Sequence, residues 1–369
     1  MKILAIDIGT GTQDILLFDT ENEIENCLQM VLPSPTALIA RRIRAATARG
    51  EDVLLTGVIM GGGPCRFAAN DHLKAGRRVF ATPNAAKTFD DDLTLVEKMG
   101  VTIVSADEAA RVRGVTRIEM RDVDLSALER LLAGFGVDLQ FDALAIAVLD
   151  HGDAPPNYSD RLFRFEFLAE RLRARNSPLA FAFMREQIPA RLTRMLAVAE
   201  TTPESIPLLV IDTAPAAILG ALEDDRVRAH AARHALIANI GNSHTLAFRF
   251  SDNTITGMFE HHTGALALEQ LEDLLAQLAA GTLSHGPVFD THGHGALIFD
   301  ARPQPLDFLA VTGPQRKKLA RSRYRPYFAA PYGAMMLTGC FGLVRAYAQL
   351  NPNATDEIAR VLDAARLSP

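Results

Sequence analysis

The opening segment, Lys2–Asp19, constrains this chain more than any other. Two apolar runs, Ile3–Ile8 and Ile15–Phe18, flank the bend Gly9-Thr10-Gly11-Thr12, with an acid at each end, Asp7 and Asp14. Short apolar runs around a small-residue turn read as two paired strands. A Gly-Thr-Gly-Thr bend exposes successive backbone N–H groups and two hydroxyls, a concavity suited to an anion. Asp7, at the end of a buried strand, is placed with Asp14 to hold Mg²⁺ through water, as suits a hard ion that dehydrates reluctantly beside phosphate. The segment therefore predicts a nucleotide-phosphate site. A dinucleotide fingerprint does not fit, because it needs a third small residue and then a helix. Here Asp14 and a strand stand in those places.

With 369 residues the chain exceeds the size of one hydrophobic core, so two packed domains are expected. A hydrophobic fraction of 48% with 22% charged residues points to a globular chain rather than a disordered or fibrous one. The net charge of −6 argues against a nucleic-acid partner. Cys27, Cys65 and Cys340 are widely spaced and form no CxxC pair, which suggests neither a disulfide framework nor a cysteine zinc site and fits a reducing cytoplasm. No basic and apolar leader precedes the first strand, so no secretory signal is expected. The apolar stretch Ala329–Val344 is shorter than the ~20 residues of a membrane span and is interrupted by Pro331, so it predicts a buried core helix.

Strand and helix patterns then alternate: a third strand over 25–32, a helix from Pro33-Ser34-Pro35-Thr36 to Gly50, and apolar strands at 53–60, 78–81, 101–104 and 141–149. Such alternation indicates a mostly parallel, covered sheet. A helical stretch over 158–200 leads to a second series opening with Leu208–Ile211 and continuing through strands near 235–240, 245–250 and 254–259. The expected division is residues 1–205 and 206–369.

A second strand-bend-strand segment lies at Leu236–Phe250, where Gly241, Asn242, Ser243, His244 and Thr245 could line the opposite side of a phosphate site. Between the two bends, Leu208–Asp212 reads as a strand leading into the small-residue helix Thr213–Gly220. In this order the chain resembles the actin, heat-shock-chaperone and sugar-kinase superfamily. There a phosphate hairpin, a connecting helix, a second phosphate hairpin, an adenosine loop and a second connecting helix follow one another. The matching segments are Asp7–Asp14, Asp212–Gly220, Asn239–Thr245, Leu309–Pro314 and Pro331–Gly339. With the run Asn26–Thr36, the opening hairpin is similar to a family of that superfamily often labelled pyruvate formate-lyase activating enzyme.

The resemblance implies an α/β fold of two ribonuclease H-like domains with an interdomain cleft. It also implies ATP and Mg²⁺ as cofactors, a small-molecule substrate and a phosphotransferase or other ATP-using activity. An alternative is a nucleotide-dependent activator or switch acting on a protein partner with slow or no hydrolysis. Asp212 would be the catalytic base, or a helix N-cap, and the two roles can coexist. Two departures stand out. Asn239 occupies a position usually acidic, and Gly313-Pro314 replaces a glycine pair in the adenosine loop. The family label itself does not fit, because radical activation of that type needs a clustered cysteine triplet for an iron–sulfur centre.

Histidines concentrate at His261, His262, His285, His292 and His294. A metal-dependent enzyme using the His261, His292 and His294 region is a third reading. Neighbours on a strand point to opposite faces, so His261 and His262 cannot both serve from regular geometry. The other possibility is that these histidines lie on loops at the cleft rim.

Overall fold

The computed structural model describes residues 1–365. β1 (Lys2–Ile8) and β2 (Thr12–Asp19) pair antiparallel with Asp7 directly opposite Asp14. β3 (Leu28–Pro33) completes a meander against β2. The chain then leaves this sheet through the helix Pro35–Arg49. Ser34 caps that helix by accepting from the N–H of Ala37, and Gly50 ends it at a φ of 72°.

A separate sheet follows, with β4 (Asp52–Gly57), β5 (Val79–Ala81), β6 (Val101–Ile103) and β7 (Val115–Met120) in the order β6-β5-β4-β7, all parallel. It has its own core around Val53, Leu55, Val79 and Ile118, and so forms an inserted unit. The chain returns to the first sheet as β8 (Ala143–Val148), buried along its whole length as a central parallel strand must be. β9 (Ala182–Met184) and β10 (Leu208–Ile211) complete the order β3-β2-β1-β8-β10-β9.

The second sheet is built from β11 (His234–Ile240), β12 (His244–Ser251), β13 (Thr254–His262), β14 (Gly293–Ile298), β15 (Leu309–Thr312) and β16 (Tyr327–Phe328). Its order is β14-β13-β12-β11-β15-β16. Stripped of the edge strands β9 and β14, both sheets share one plan. Three strands form an antiparallel meander, and two more lie parallel to the first of them. This is the ribonuclease H-like plan, present twice, and the molecule has the two-domain α/β architecture of the actin-like ATPase superfamily.

The two halves are joined through a pair of helices, Thr213–Ala221 and Thr338–Leu350. A Cβ on Gly220 would lie 1.7 Å from the carbonyl oxygen of Thr338, and one on Gly342 would lie 1.9 Å from that of Ala216. Only glycine at both positions allows the backbones to pass this closely. One core of buried side chains, including Ile3, Phe181, Ile237, Phe248 and Phe341, runs through both sheets and both helices.

Three expectations change. Leu208–Ile211 does not open the second series but is hydrogen-bonded between β8 and β9 in the first sheet. The stretch 158–200 is not continuously helical, because β9 separates the helices Asp160–Ala174 and Thr193–Glu200. Residues 331–337 form two 3₁₀ turns, with Tyr332 at a φ of 51°, and the helix proper begins at Thr338. No helix among the described residues is long and apolar enough to cross a membrane.

Candidate functional site

The bend after β1 and the bend after β11 have the same construction. In each, the glycine N–H donates to the carbonyl three residues on, Gly9 to Thr12 and Gly241 to His244, both at 2.9 Å. The last strand pairs are likewise equivalent, Ile8 with Gln13 and Ile240 with Thr245. The bends meet: Thr10 Oγ1 and Ser243 Oγ are 2.9 Å apart. Both line one cleft of about 480 Å³, whose third wall comes from the inserted unit through Gly61–Gly63, Lys87 and Asp91.

Most of the residues expected from sequence meet here. Asp7, Gly9, Thr10, Thr12, Asp14, Gly241, Asn242, Ser243, His244 and Gly313 all line the cleft. Gly11 is not on its lining and packs beside the Asn242 side chain. Thr245 lies outside it, because strand alternation turns its hydroxyl into the core, 2.9 Å from that of Thr263. Asp212 also lies outside it. It caps the helix Thr213–Ala221 by accepting from the N–H of Ala214, and it accepts from Arg164 Nη1 at 2.7 Å.

Asp7 accepts a 2.5 Å hydrogen bond from Thr213. A Cβ on Gly339 would lie 1.9 Å from Asp7 Oδ2, so the start of the second joining helix can approach this carboxylate only through glycine. Burial pushes Asp7 up to about 7, against the Thr213 hydrogen bond. Burial and the Asp7 charge push Asp14 up to about 8. Asp14 Oδ1 is buried with no hydrogen-bond partner. Two facing carboxylates with an orphaned oxygen fit a hydrated hard cation, which would supply the missing partner and favour the ionised forms.

Behind the second bend lies a group that sequence reasoning found only in part. His151 follows β8, while His244, His262 and His294 sit on β12, β13 and β14. His244 and His262 are a cross-strand pair with ring centroids 4.9 Å apart. His294 is 5.0 Å from His244, 4.9 Å from His262 and 5.7 Å from His151. A bulge makes His294 the extra residue opposite the Glu260–His261 step, which re-aims its ring inward.

His261 and His292, expected with His294, are elsewhere. His261 Nδ1 lies 3.1 Å from the His262 carbonyl and Nε2 lies 3.3 Å from Thr291 Oγ1, while His292 occupies an exposed turn at a φ of 69°. His294 is not on a rim loop but fully buried in a strand. The missed member, His151, carried one usable signal: it follows the carboxyl end of a parallel strand, the edge at which open α/β sheets bind ligands.

The imidazoles rest on an ion-pair network. Arg164, 1% exposed, clasps both oxygens of Glu260 at 2.7 and 2.8 Å, and also reaches Asp212 and the carbonyl of Asp150. Burial opposes the charge on Arg164, but Asp212 and Glu260 outweigh it. Burial would raise Glu260, yet Arg164 and His294 hold it well below the usual carboxylate range. Burial pushes His151 down to about 3 and His262 down to about 4, and holds His244 far below its usual value, so these rings are neutral.

The three cysteines are buried and free, and each bonds within its own surroundings, to Asp19, Gly62 and Asp14 carbonyls respectively. They offer no thiolate triplet, and burial pushes the Cys65 thiol up to about 11.

No protein of curated function matches the chain. Among solved structures it is similar to a chain of the PilM–PilN type IV pilus biogenesis complex, at 12% identity over 94% of this chain and 98% of that one, with a TM-score of 0.38. It is also similar to the Aquifex aeolicus Ppx/GppA phosphatase, at 9% identity over 99% and 90% of the two chains and a TM-score of 0.26. A protein from Cytophaga hutchinsonii described as a "putative sugar kinase" gives 10% identity over 100% and 89%, with a TM-score of 0.24. A family model matches residues 60–318, and the chain belongs to that family, described as "Putative pyruvate format-lyase activating enzyme (DUF1786)".

Proposed function

We propose that the protein binds ATP with Mg²⁺ in the cleft and uses it on a small molecule, as a phosphotransferase or another ATP-using enzyme. The observation that carries this reading is the contact between two bends of identical construction, Thr10 against Ser243, above a pair of facing carboxylates. Backbone N–H groups of both bends and the hydroxyls of Thr10, Thr12 and Ser243 orient the phosphate chain. Asp7 and Asp14 would hold Mg²⁺ through water, and that ion supplies neutralisation of phosphate charge. Thr312, Gly313 and Pro314, which line the cleft together with Met335 and Met336, would frame the adenosine end.

The acceptor side falls to the inserted unit. Asp91 lines that wall and is pushed up to about 7 by burial and the charges of Asp153 and Asp160, which suits it to take a proton from an acceptor hydroxyl near neutral pH. A second reading is a nucleotide-dependent switch with slow or no hydrolysis, acting on a protein partner. It is favoured by Asp212, whose carboxylate is committed to Arg164 and the helix cap instead of the cleft.

Calorimetric titration with ATP, with and without Mg²⁺, tests both readings. Binding strengthened by Mg²⁺ is expected; heat changes absent in both titrations would overturn them. If ATP binds, hydrolysis that rises with hydroxylated metabolites favours the enzyme, and a rate indifferent to all of them favours the switch.

A further inference from the structure

We propose that His151, His244 and His294 form a transition-metal site on the cleft floor, for a borderline divalent ion of which zinc is the first to test. Their candidate ligand nitrogens all lie within 4.8 Å of one another. Two imidazole nitrogens on a tetrahedral ion stand about 3.3 Å apart, so metal capture needs only a further inward rotation of the rings.

Partner accounting separates these rings from ordinary buried histidines. His72, fully buried in the inserted unit, has Nδ1 2.7 Å from Thr47 Oγ1 and Nε2 3.3 Å from the carbonyl of Arg78. His261, next to the cluster, is bonded through both nitrogens as well. By contrast His244 Nε2 and His294 Nε2 are buried with no partner. A buried polar atom left unpaired is costly, and such an atom in a native fold calls for a ligand.

The surroundings of His294 match those of a metal-bound imidazole. Its Nδ1 lies 3.0 Å from Glu260 Oε2, within ion-pair reach though off the line of a well-formed hydrogen bond. A carboxylate behind a ligating histidine sets its tautomer and aims the other nitrogen at the metal. Arg164 fixes that carboxylate by gripping both of its oxygens. The strand passes through this crowded place because Gly293 and Gly295 flank His294: a Cβ on either would fall within 2.6 Å of His261 or His285.

Three imidazole ligands leave a fourth position open toward the cleft, where His262 and solvent compete for it. Such a position takes an oxygen of the second substrate, a hydroxyl or carboxylate, beside the phosphates held by the bend to which His244 itself belongs. His151 comes from the first half and the other ligands from the second, so the ion would also link the two halves.

The test uses the full chain, stripped with a chelator, reloaded with zinc, passed through gel filtration and assayed by elemental analysis without nucleotide. About one equivalent retained by the wild type is expected, and cobalt(II) in its place should give the intense visible bands of a tetrahedral site. His151→Ala, at the half-buried edge of the cluster, should weaken zinc binding by about 100-fold or more, and Glu260→Gln by about tenfold. His294→Ala should abolish retention, with circular dichroism checking that it folds. His261→Ala should retain the full equivalent. A wild type that keeps no zinc, or a His261→Ala loss equal to that of His151→Ala, would overturn the site. Zinc is measured without ATP, so a failed ATP titration leaves this result standing on its own.

Discussion

The two bends share backbone, hydrogen bonds and register but differ in what they carry. In the first, the paired positions beside the bend hold Asp7 and Asp14; in the second, the equivalent pair is Asn239 and Leu246. The first bend ends in Thr12, and the second ends in His244. One half of the repeat thus gathers hard oxygen donors and the other gathers imidazole. Repetition of the fold supplies two equivalent platforms, and side chains make them different: two facing carboxylates on one and clustered imidazoles on the other. Arg164 sits where they join, tied to Asp150 and Asp212 of the first sheet and its outgoing helix and to Glu260 of the second.

The largest effect is expected at that junction. Arg164→Met would leave Glu260 and Asp212 buried without their cation, at a cost of about 3–5 kcal/mol. Thermal denaturation should show a fall of many degrees, and an unchanged melting temperature would mean that the halves are not joined through this pair. Next, Asp7→Asn should weaken Mg²⁺-dependent ATP binding about 100-fold, roughly 2.7 kcal/mol, whereas Asn239→Ala should cost less than tenfold. Equal losses would erase the contrast between the bends.

A pH contrast follows from the raised carboxylates. Between about pH 4 and 8 the native protein keeps protons on Asp7 and Asp14 that the unfolded chain has released, so their contribution to stability falls as pH rises through this window. In chelator, Asp7→Asn should therefore gain melting temperature relative to wild type on going from pH 5 to pH 8, by a few degrees. A difference that stays flat or shrinks would show that Asp7 is ionised in the native state throughout. The smallest effect is Thr10→Ala, which removes the hydroxyl facing Ser243. A loss of about 1 kcal/mol in stability or nucleotide affinity is expected, and the double variant with Ser243→Ala should be less than additive.

The oxygen-rich side was legible in sequence because its signal is local. A Gly-Thr-Gly-Thr bend between two apolar runs, with acids in register, needs no tertiary information to be recognised. The second bend was visible for the same reason, and so was the close packing of the small-residue helix after Asp212. The nitrogen-rich side is legible only in part, because its members come from three strands and the segment after β8 and converge only when the sheets fold. His294 also depends on a bulge that shifts side-chain alternation by one residue, which strand periodicity cannot reveal. For Asp212 the sequence offers two roles, base or helix N-cap; the capping contact to Ala214 is local and legible, whereas the grip of the buried Arg164, 48 residues earlier, is a tertiary contact that no local pattern reveals. Leu208–Ile211 reads forward in sequence, with the helix it precedes, whereas its hydrogen bonds run back to β8.

A crystal structure with a non-hydrolysable ATP analogue and Mg²⁺ tests the proposed nucleotide site. The phosphates should lie between the bends, within hydrogen-bond distance of backbone N–H groups of both Gly9–Thr12 and Gly241–His244, with the ion on the Asp7 side. Phosphates seated against one bend alone, or outside the cleft, would contradict that site.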